Sequence, residues 1–376
     1  MNNFLSSEDC IGCTACATVC PKKAITMVLN EDGFYEPKIN EQLCIDCGKC
    51  TTICPIQNLP KKNKPITQYA SVLLDEQKVF ESSSGGAFTG IAEKILASGG
   101  TVFGAAYKED FKGVAHYSTE EVPLEKLKKS KYVVSDLRDS FVRVKKLLAN
   151  DKEVLFVGAP CQCAGLKKIV GDDKNLTLVD FVCGGMPSEK CFSQHLDGLS
   201  KKYRSKIISV DFRGKEQGWK KSYLKVCFAN GKTYRKFYLY DSYYSLFYME
   251  HLTTRAICDK CPFRKRHIAD ITIADFWGIF KTSIPNDDKG MSLVAINTEK
   301  GQKIFEEIAE KRVYSLTESD IEYAYQEFLI SEEKALKKRI FFSELKKENF
   351  NQVSKRYVKT DIISVFIKRL RSFLGV

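Results

Sequence analysis

Eight cysteines near the start of the chain repeat one spacing, and this repeat constrains the fold more than any other feature. The first copy is Cys10, Cys13, Cys16 and Cys20 with Pro21, and the second, 34 residues later, is Cys44, Cys47, Cys50 and Cys54 with Pro55. Three cysteines at two-residue gaps can hold three corners of a cubane iron–sulfur cluster. The fourth, ahead of the proline, ligates the neighbouring cluster. The spacing therefore predicts two [4Fe-4S] clusters.

The crossed ligation assigns Cys10, Cys13, Cys16 and Cys54 to a first cluster and Cys44, Cys47, Cys50 and Cys20 to a second. Two zinc sites are the alternative, because C-x2-C pairs also bind zinc. The doubled four-cysteine run with its prolines favours clusters. A disulfide framework is disfavoured, since residues 1–9 lack the basic and apolar regions of a signal peptide. The segment resembles a bacterial two-cluster ferredoxin, which implies one-electron transfer.

The bulk composition is that of an ordinary globular protein. The chain has 376 residues, 44% of them hydrophobic, which suits a small module and a larger body. No window reaches the roughly 18 consecutive apolar residues of a membrane-spanning helix. Fifteen cysteines indicate a reducing compartment and metal–sulfur chemistry, so we expect a cytoplasmic protein, as in an anaerobe.

The net charge of +12 does not indicate nucleic-acid binding, because the basic residues form no recognisable nucleic-acid motif and the excess is local. From position 345 onward there are eight basic and two acidic residues, a net of +6. Residues 341–376 are predicted to form a basic amphipathic helix. Its partner is either an anionic membrane surface, or the protein's own body or a second subunit.

The body alternates β-branched runs with helical segments after a polar, proline-bounded linker. We predict a cluster module at 1–56, a linker at 57–67, a large domain at 68–340 and the terminal helix at 341–376. The module should be α+β and ferredoxin-like, with a hairpin turning near residues 30–33. The larger domain should be α/β, with an antiparallel hairpin through Asn230 and Gly231.

Several motifs of the body occur in a recognisable order. They are SSSGG (82–86), SKYVVS (130–135), GAPCQ (158–162), VCGGMPS (182–188), FRGK (212–215), CDKC (258–261) and ADITIADFWG (269–278). Together they resemble the coenzyme F-420 hydrogenase/dehydrogenase beta-subunit family over about residues 68–310. The arrangement with an N-terminal ferredoxin module resembles versions encoded among exopolysaccharide genes. The resemblance implies FAD and a further iron–sulfur cluster, so the larger domain is expected to bind flavin.

Four more cysteines are candidates for that cluster. Cys161 and Cys183 each follow a predicted strand, where α/β folds bind ligands, and Cys258 and Cys261 form another C-x2-C pair. The family resemblance supports these four as ligands of a third [4Fe-4S] cluster. The alternative is a zinc pair with two buried thiols, since free cysteine is a common core residue.

The SSSGG motif before a helix is the best candidate for binding the flavin phosphates, because glycines permit close approach and a helix N-terminus favours anions. An ordinary helix cap is the alternative. The expected cofactor-binding residues are Ser83, Ser84, Gly85, Gly86, Lys131 and Ser135.

A substrate is expected near three cations within the resembling segments, Arg213, Lys215 and Arg255, because cations stabilise negative charge on a reduced flavin. The aromatic-rich residues 234–248 could stack on a ring, although core packing explains most of them. We assign no chemistry to the four histidines.

These features predict an iron–sulfur flavoprotein oxidoreductase that passes electrons between a one-electron carrier, such as a ferredoxin-type protein, and a small two-electron substrate. An electron-transfer subunit that serves a partner enzyme is the alternative, possibly in polysaccharide biosynthesis. A non-redox sugar-modifying enzyme with vestigial cofactors is a third hypothesis, and two complete cluster ligand sets argue against it.

Overall fold

A computed structural model describes residues 8–264, 266–324 and 332–358. Its strands form sheets of two, three and nine strands within these residues. In chain order they are β1 (Ile25–Leu29), β2 (Tyr35–Ile39), β3 (Thr67–Leu73), β4 (Thr101–Tyr107), β5 (Val114–Ser118), β6 (Ser135–Asp136), β7 (Val154–Val157), β8 (Leu176–Phe181), β9 (Ile207–Gly214), β10 (Tyr223–Phe228), β11 (Thr233–Phe237), β12 (Ile271–Asp275), β13 (Ser292–Ile296) and β14 (Lys311–Ser315).

The helices of the described residues connect and cover these strands. They are α1 (Ala15–Val19), α2 (Lys49–Thr52), α3 (Glu76–Phe80), α4 (Ala87–Ala97), α5 (Leu124–Leu127), α6 (Ser140–Ala149), α7 (Pro160–Val170), α8 (Glu189–Tyr203), α9 (Ser242–Tyr248), α10 (Glu299–Glu306), α11 (Glu318–Ala324), α12 (Glu332–Leu345) and α13 (Phe350–Tyr357), with short 3-10 turns at Ala256–Lys260 and Trp277–Lys281.

The N-terminal module contains α1, α2 and the antiparallel hairpin β1–β2. Asn30 fixes the turn, because its side-chain oxygen accepts hydrogen bonds from the backbone of Asp32 and Phe34 at 3.1 and 3.0 Å. Gly33 adopts a φ of 83°, and a Cβ there would lie 2.5 Å from the backbone nitrogen of Lys190. The predicted hairpin is therefore present, and its turn packs directly against the start of α8.

The nine-stranded sheet is the frame of the larger domain, with the order β14-β3-β13-β12-β8-β7-β4-β5-β6. Its centre is parallel from β12 through β8 and β7 to β4. These strands are apolar and almost wholly buried, as expected for strands covered on both faces. The carboxyl ends of β7 and β8 therefore meet at one edge, where Cys161 and Cys183 follow.

Helices cover both faces of this sheet, which gives the predicted α/β architecture. On one face α4 and α10 pack over the apolar side chains of β4, β7 and β13. On the other face α6 and α7 pack over Phe103 and Phe156, which alternate with the first set along their strands. A region without regular structure at residues 59–65 separates this domain from the module.

The predicted antiparallel hairpin is also confirmed, as β10 and β11, and β9 completes a three-stranded sheet. Its turn has Gly231 at a φ of 80°, and the Asn230 side chain accepts a hydrogen bond from the Lys232 backbone at 3.1 Å. This sheet packs with α8, α9, α12 and α13 in one aromatic-rich core.

The C-terminal region differs from the single helix predicted at 341–376. The described chain has α12 across that boundary and begins a new helix, α13, after Asn349. The side chains of Asn349 and Gln352 each accept a hydrogen bond from the other's backbone at 3.2 Å, which caps α13 and separates the helices. Residues 359–376, which carry most of the predicted apolar face, lie outside the described residues. No described helix is long and apolar enough to cross a bilayer.

Candidate redox site

The N-terminal cysteines surround two neighbouring cavities in the module. Cys10, Cys13, Cys16 and Cys54 line one of them together with Cys50. Cys20, Cys44, Cys47 and Cys50 line the other, which has a volume of about 420 Å³. The structure thus brings together each crossed set that the spacing assigns. Four thiols around one cavity are the donor set that a [4Fe-4S] cluster requires.

The thiols of the first set are deeply enclosed. Burial raises the pKa of the Cys13 thiol well above its ordinary value, and burial raises the pKa of Cys16 to about 12. Such thiols keep their protons at neutral pH unless a metal replaces them. Among the described residues, no three Cys, His, Asp or Glu side chains converge on the position of a single metal ion. The thiols instead line the walls of the two cavities.

A further cysteine set lies beside the first cavity, at the edge of the large sheet. Cys161 begins α7, Cys183 follows β8, and Cys258 and Cys261 flank the short turn after α9. Burial raises the pKa of Cys161, and the neighbouring thiols of Cys183, Cys261 and Cys258 raise it further. The four predicted ligands of a third cluster are therefore neighbours in space.

Backbone N–H groups point at two of these sulfurs. The N–H of Gly185 donates to Cys183 Sγ at 3.4 Å, and the N–H of Met186 donates to Cys258 Sγ at the same distance. Hydrogen bonds of this kind stabilise thiolate charge and tune cluster potentials. This set consequently has the donor chemistry of a cluster site.

The first and third cysteine sets are joined by close packing between α1 and α7. Cys13 and Cys161 belong to one buried cluster of side chains. Gly165 of α7 lies against Cys13, so that a Cβ on Gly165 would be 2.9 Å from the Cβ of Cys13 and 3.1 Å from its sulfur. The absence of a side chain at position 165 brings the two cysteine sets together.

A cavity of about 300 Å³ lies beyond the third set, at the carboxyl end of the parallel strands. Its volume is within the range of small-molecule sites, and its place in the sheet is where α/β folds bind ligands. Of the six predicted cofactor-binding residues, all except Gly85 line it. Cys183 is also in its wall, so the third cysteine set borders the cavity directly.

The SSSGG motif forms one side of the cavity at the start of α4. The hydroxyl of Ser84 donates to the Met291 carbonyl at 2.5 Å, while Ser83 and Ser130 bond through their hydroxyls at 2.9 Å. Gly86, the residue before the helix, has a φ of 93°. Gly85 lies behind the wall, where a Cβ would be 2.3 Å from the Ser71 carbonyl.

On the opposite wall a chain of hydrogen bonds has a defined direction. His116 Nε2 lies 3.1 Å from the Val157 carbonyl, which only accepts, so this nitrogen is the donor. Burial lowers the pKa of His116 to about 4 and keeps the ring neutral, so its Nδ1 accepts from Ser135 Oγ at 2.7 Å. Ser135 in turn accepts from Gln162 Nε2 at 3.2 Å.

Gln162 therefore has a fixed amide orientation at the cavity wall. Its side-chain oxygen accepts from the Ala159 backbone at 2.9 Å, and its nitrogen carries a second hydrogen beyond the one given to Ser135. The hydroxyl proton of Ser135 is already used on His116, so Gln162 is the better donor toward a bound ring. Sequence reasoning quoted Gln162 in a motif but gave it no role.

Lys131 is a half-buried cation in the same cavity. Its ammonium donates to the carbonyls of Lys128 and Lys129 at 2.5 and 3.2 Å. Burial lowers the pKa of Lys131 to about 7. An anionic group in the cavity would restore its positive charge near neutral pH.

Arg213 supports the cavity from behind. It is 1% exposed and donates to both carboxylate oxygens of Asp275, at 2.5 and 3.2 Å, and to the Ser83 carbonyl at 2.9 Å. Its guanidinium lies 5.3 Å from the ring centre of Trp277. Arg213 therefore holds Asp275 and Trp277, which line the cavity, without lining it itself.

The three cations predicted to contact a substrate do not form one pocket. Lys215 donates to the carbonyls of Val79, Ser84 and Lys289 at 2.6 to 3.0 Å. Arg255 lies at the cysteine loops and not with the other two. None of the three lines the cavity, because each side chain is occupied by protein atoms.

The aromatic-rich residues 234–248 mainly form core, as packing alone suggests. Tyr243 and Tyr244 are buried in the core shared with β9 and α8, while Phe247 and Tyr248 reach the cavity wall. His116 and His251 also line the cavity, although the sequence gave no reason to choose them. His116 lies on β5, which sequence reasoning missed.

Comparisons with known proteins agree with these two regions. Residues 9–58 match the family described as 4Fe-4S dicluster domain. Residues 151–322 match the family that describes the C terminus of the coenzyme F420 hydrogenase/dehydrogenase beta subunit. No curated protein matches the chain.

Among solved structures, the chain aligns with one from the xenon-derivatised F420-reducing [NiFe] hydrogenase complex of Methanosarcina barkeri. The identity is 16% and the TM-score 0.47, over 76% of this chain and 92% of that chain. The sequence matches confirm the predicted resemblance. The protein joins a 4Fe-4S dicluster domain to a C-terminal domain of the coenzyme F420 hydrogenase/dehydrogenase beta-subunit family.

Proposed function

We propose that the protein is an iron–sulfur flavoprotein oxidoreductase that passes electrons between a one-electron carrier and a two-electron substrate. One observation carries the proposal: the cysteine sets form a series from the surface to the cavity. Cys47 of the second set is exposed, Cys13 of the first set packs near Cys161, and Cys183 of the third set borders the cavity.

Bound [4Fe-4S] clusters would supply one-electron steps, and FAD would exchange electrons singly or as a pair. Twelve cysteines would hold three clusters, as predicted from the sequence. Lys131, Ser83 and the backbone before α4 would bind the anionic part of FAD, and Gln162 would donate to its ring. Asp275 and Trp277, held by Arg213, would shape the remaining wall.

The exposed end of the series suits an electron carrier. Beside Cys44 and Cys47, the apolar side chains of Leu43 and Ile45 are 50% and 57% exposed. Electron-transfer encounters use small surfaces, so a carrier of the ferredoxin type could dock on this rim.

Iron, acid-labile sulfide and flavin per chain, measured after strictly anaerobic purification, test the proposal. About twelve irons with one FAD are expected for three cubane clusters and a flavin. About eight irons without flavin would contradict both the third cluster and the flavin site.

An electron-transfer subunit is the second candidate, and one observation favours it. Arg213, Lys215 and Arg255 are all bound to protein groups, so the expected cationic substrate site is absent from the described cavity wall. An enzyme should turn over a small molecule alone, whereas a relay should require its partner protein. Anaerobic turnover assays with and without candidate partners distinguish them.

A further inference from the structure

Arg255 links the loop of the first cysteine set to the loop of the third. Its guanidinium donates to the Cys10 carbonyl at 2.9 Å and to the Tyr35 carbonyl at 2.8 Å. Its own backbone N–H donates to Met186, at 3.0 Å, and its carbonyl accepts from the Cys258 N–H at 3.1 Å. One residue therefore fixes the positions of Cys10 and Cys258 relative to each other.

This arginine is a buried cation without an acidic partner. It is 3% exposed, and it forms no ion pair with a carboxylate in the described part of the chain. Its other neighbours are carbonyl oxygens and the ring of Phe34, whose centre is 4.9 Å from the guanidinium carbon. Its Nε has no hydrogen-bond partner within these residues.

A buried charge is costly unless an opposite charge lies near it. Thiolate-ligated clusters are anionic, and the two sulfurs on either side of Arg255 belong to candidate cluster sites. Burial raises the pKa of the Cys10 thiol, and Arg255 is the strongest influence that lowers it. Arg255 also acts to lower the pKa of Cys258, which burial raises.

The module makes room for this side chain. Gly12, between Cys10 and Cys13, has a φ of 66°. A Cβ on Gly12 would lie 2.9 Å from Arg255 Nη2 and 2.6 Å from the Tyr35 carbonyl. The cysteine loop is thus shaped around the guanidinium.

We infer that Arg255 is a positioning residue whose fixed positive charge is shared by the first and third clusters and raises the reduction potential of both. The inference depends on the third cluster of the proposed function. Reduction adds one electron and one negative charge to a cluster, with the electron coming from the external carrier. Arg255 stays protonated throughout and balances that charge, and no bond forms or breaks.

The test is an EPR-monitored redox titration of the anaerobically purified full chain. Arg255→Met removes the charge at similar volume, and Arg255→Lys keeps it. Lys260→Met is the matched control, because it removes a charge from the same loop at a side chain that is 72% exposed. Iron content of each variant is measured in parallel.

Arg255→Met should disfavour reduction of two clusters by at least tenfold, which is about 59 mV for a one-electron couple. The cluster bound by the Cys20 set should shift less, and Lys260→Met and Arg255→Lys should remain within tenfold of the parent. Unchanged potentials in Arg255→Met, an equal shift of all clusters, or the same shift in Lys260→Met would overturn the inference.

If Arg255→Met loses its clusters, Arg255→Lys decides. Full iron content with near-parental potentials supports a charge role, and loss of iron in the lysine variant as well overturns it. A parent protein with about eight irons removes the third cluster and this inference together. A parent with about twelve irons and no shift in Arg255→Met overturns only the role of Arg255.

Discussion

Replacing Gly165 by alanine tests the packing that brings the first and third cysteine sets together. The new Cβ would lie 2.9 Å from Cys13 Cβ, 3.1 Å from its sulfur and 3.3 Å from its carbonyl oxygen. Ordinary contact begins at 3.4 Å, so α1 must retreat by about 0.5 Å, the difference between 3.4 and 2.9 Å. Because these atoms belong to a backbone segment and a cluster ligand, they cannot rotate away.

Two effects of opposite sign determine the outcome. Alanine in a helix interior is favoured over glycine by about 1 kcal/mol. Overpacking costs about 1–3 kcal/mol, and we expect the upper part of that range at this rigid contact. The variant should therefore be destabilised by about 1–2 kcal/mol.

The assay is anaerobic urea denaturation followed by the visible absorbance of the clusters, since the clusters report on the module where the strain falls. With a urea slope of about 1–3 kcal/mol per molar, the midpoint should fall by roughly 0.5 M. Lys168→Ala is the control on the same helix and should change stability by less than about 0.5 kcal/mol. A higher midpoint for Gly165→Ala, which helix propensity alone predicts, would refute the packing of α1 on α7.

Three further predictions concern the cavity and the clusters. Gln162→Leu should lower the FAD content per chain without lowering iron, because it removes only a donor at the cavity wall; equal loss of both would contradict this. FAD affinity of the flavin-free protein should begin to fall as the pH rises through about 7, where Lys131 loses its charge, and Lys131→Met should abolish that dependence; an unchanged pH profile in Lys131→Met would exclude the lysine. Cys10→Ser should lower iron from about twelve to about eight per chain and reduce activity, and full retention of both would rule out Cys10 as a ligand.

The sequence predicted the cysteine sets of the module because their ligands follow local spacing. It also located the central strands, since β7 and β8 are short apolar runs that are buried on both faces. The strands it missed, β5 and β14, are edge or near-edge segments with polar residues and no clear alternation. His116 lies on β5, so its place in the cavity was hidden with the strand.

The roles of the buried cations could not be read from the sequence. Arg255 lies near Cys258 along the chain, yet its guanidinium contacts Cys10, which is 245 residues away. A buried arginine or lysine bound to carbonyls has the same sequence signature as one that contacts a substrate. Only the three-dimensional contacts separate Arg213, which supports the cavity, from Lys215, which ties backbone segments together.

The most direct test of a continuous path from the module to the cavity is the rate of flavin reduction after anaerobic rapid mixing with a reduced one-electron carrier. The parent protein is compared with Cys161→Ser, and both must retain FAD and about eight irons in the N-terminal clusters. The proposed path predicts fast flavin reduction in the parent and loss of it in Cys161→Ser, while the N-terminal clusters still become reduced. Flavin reduction at the parental rate in Cys161→Ser would show that electrons reach the cavity without the third cysteine set.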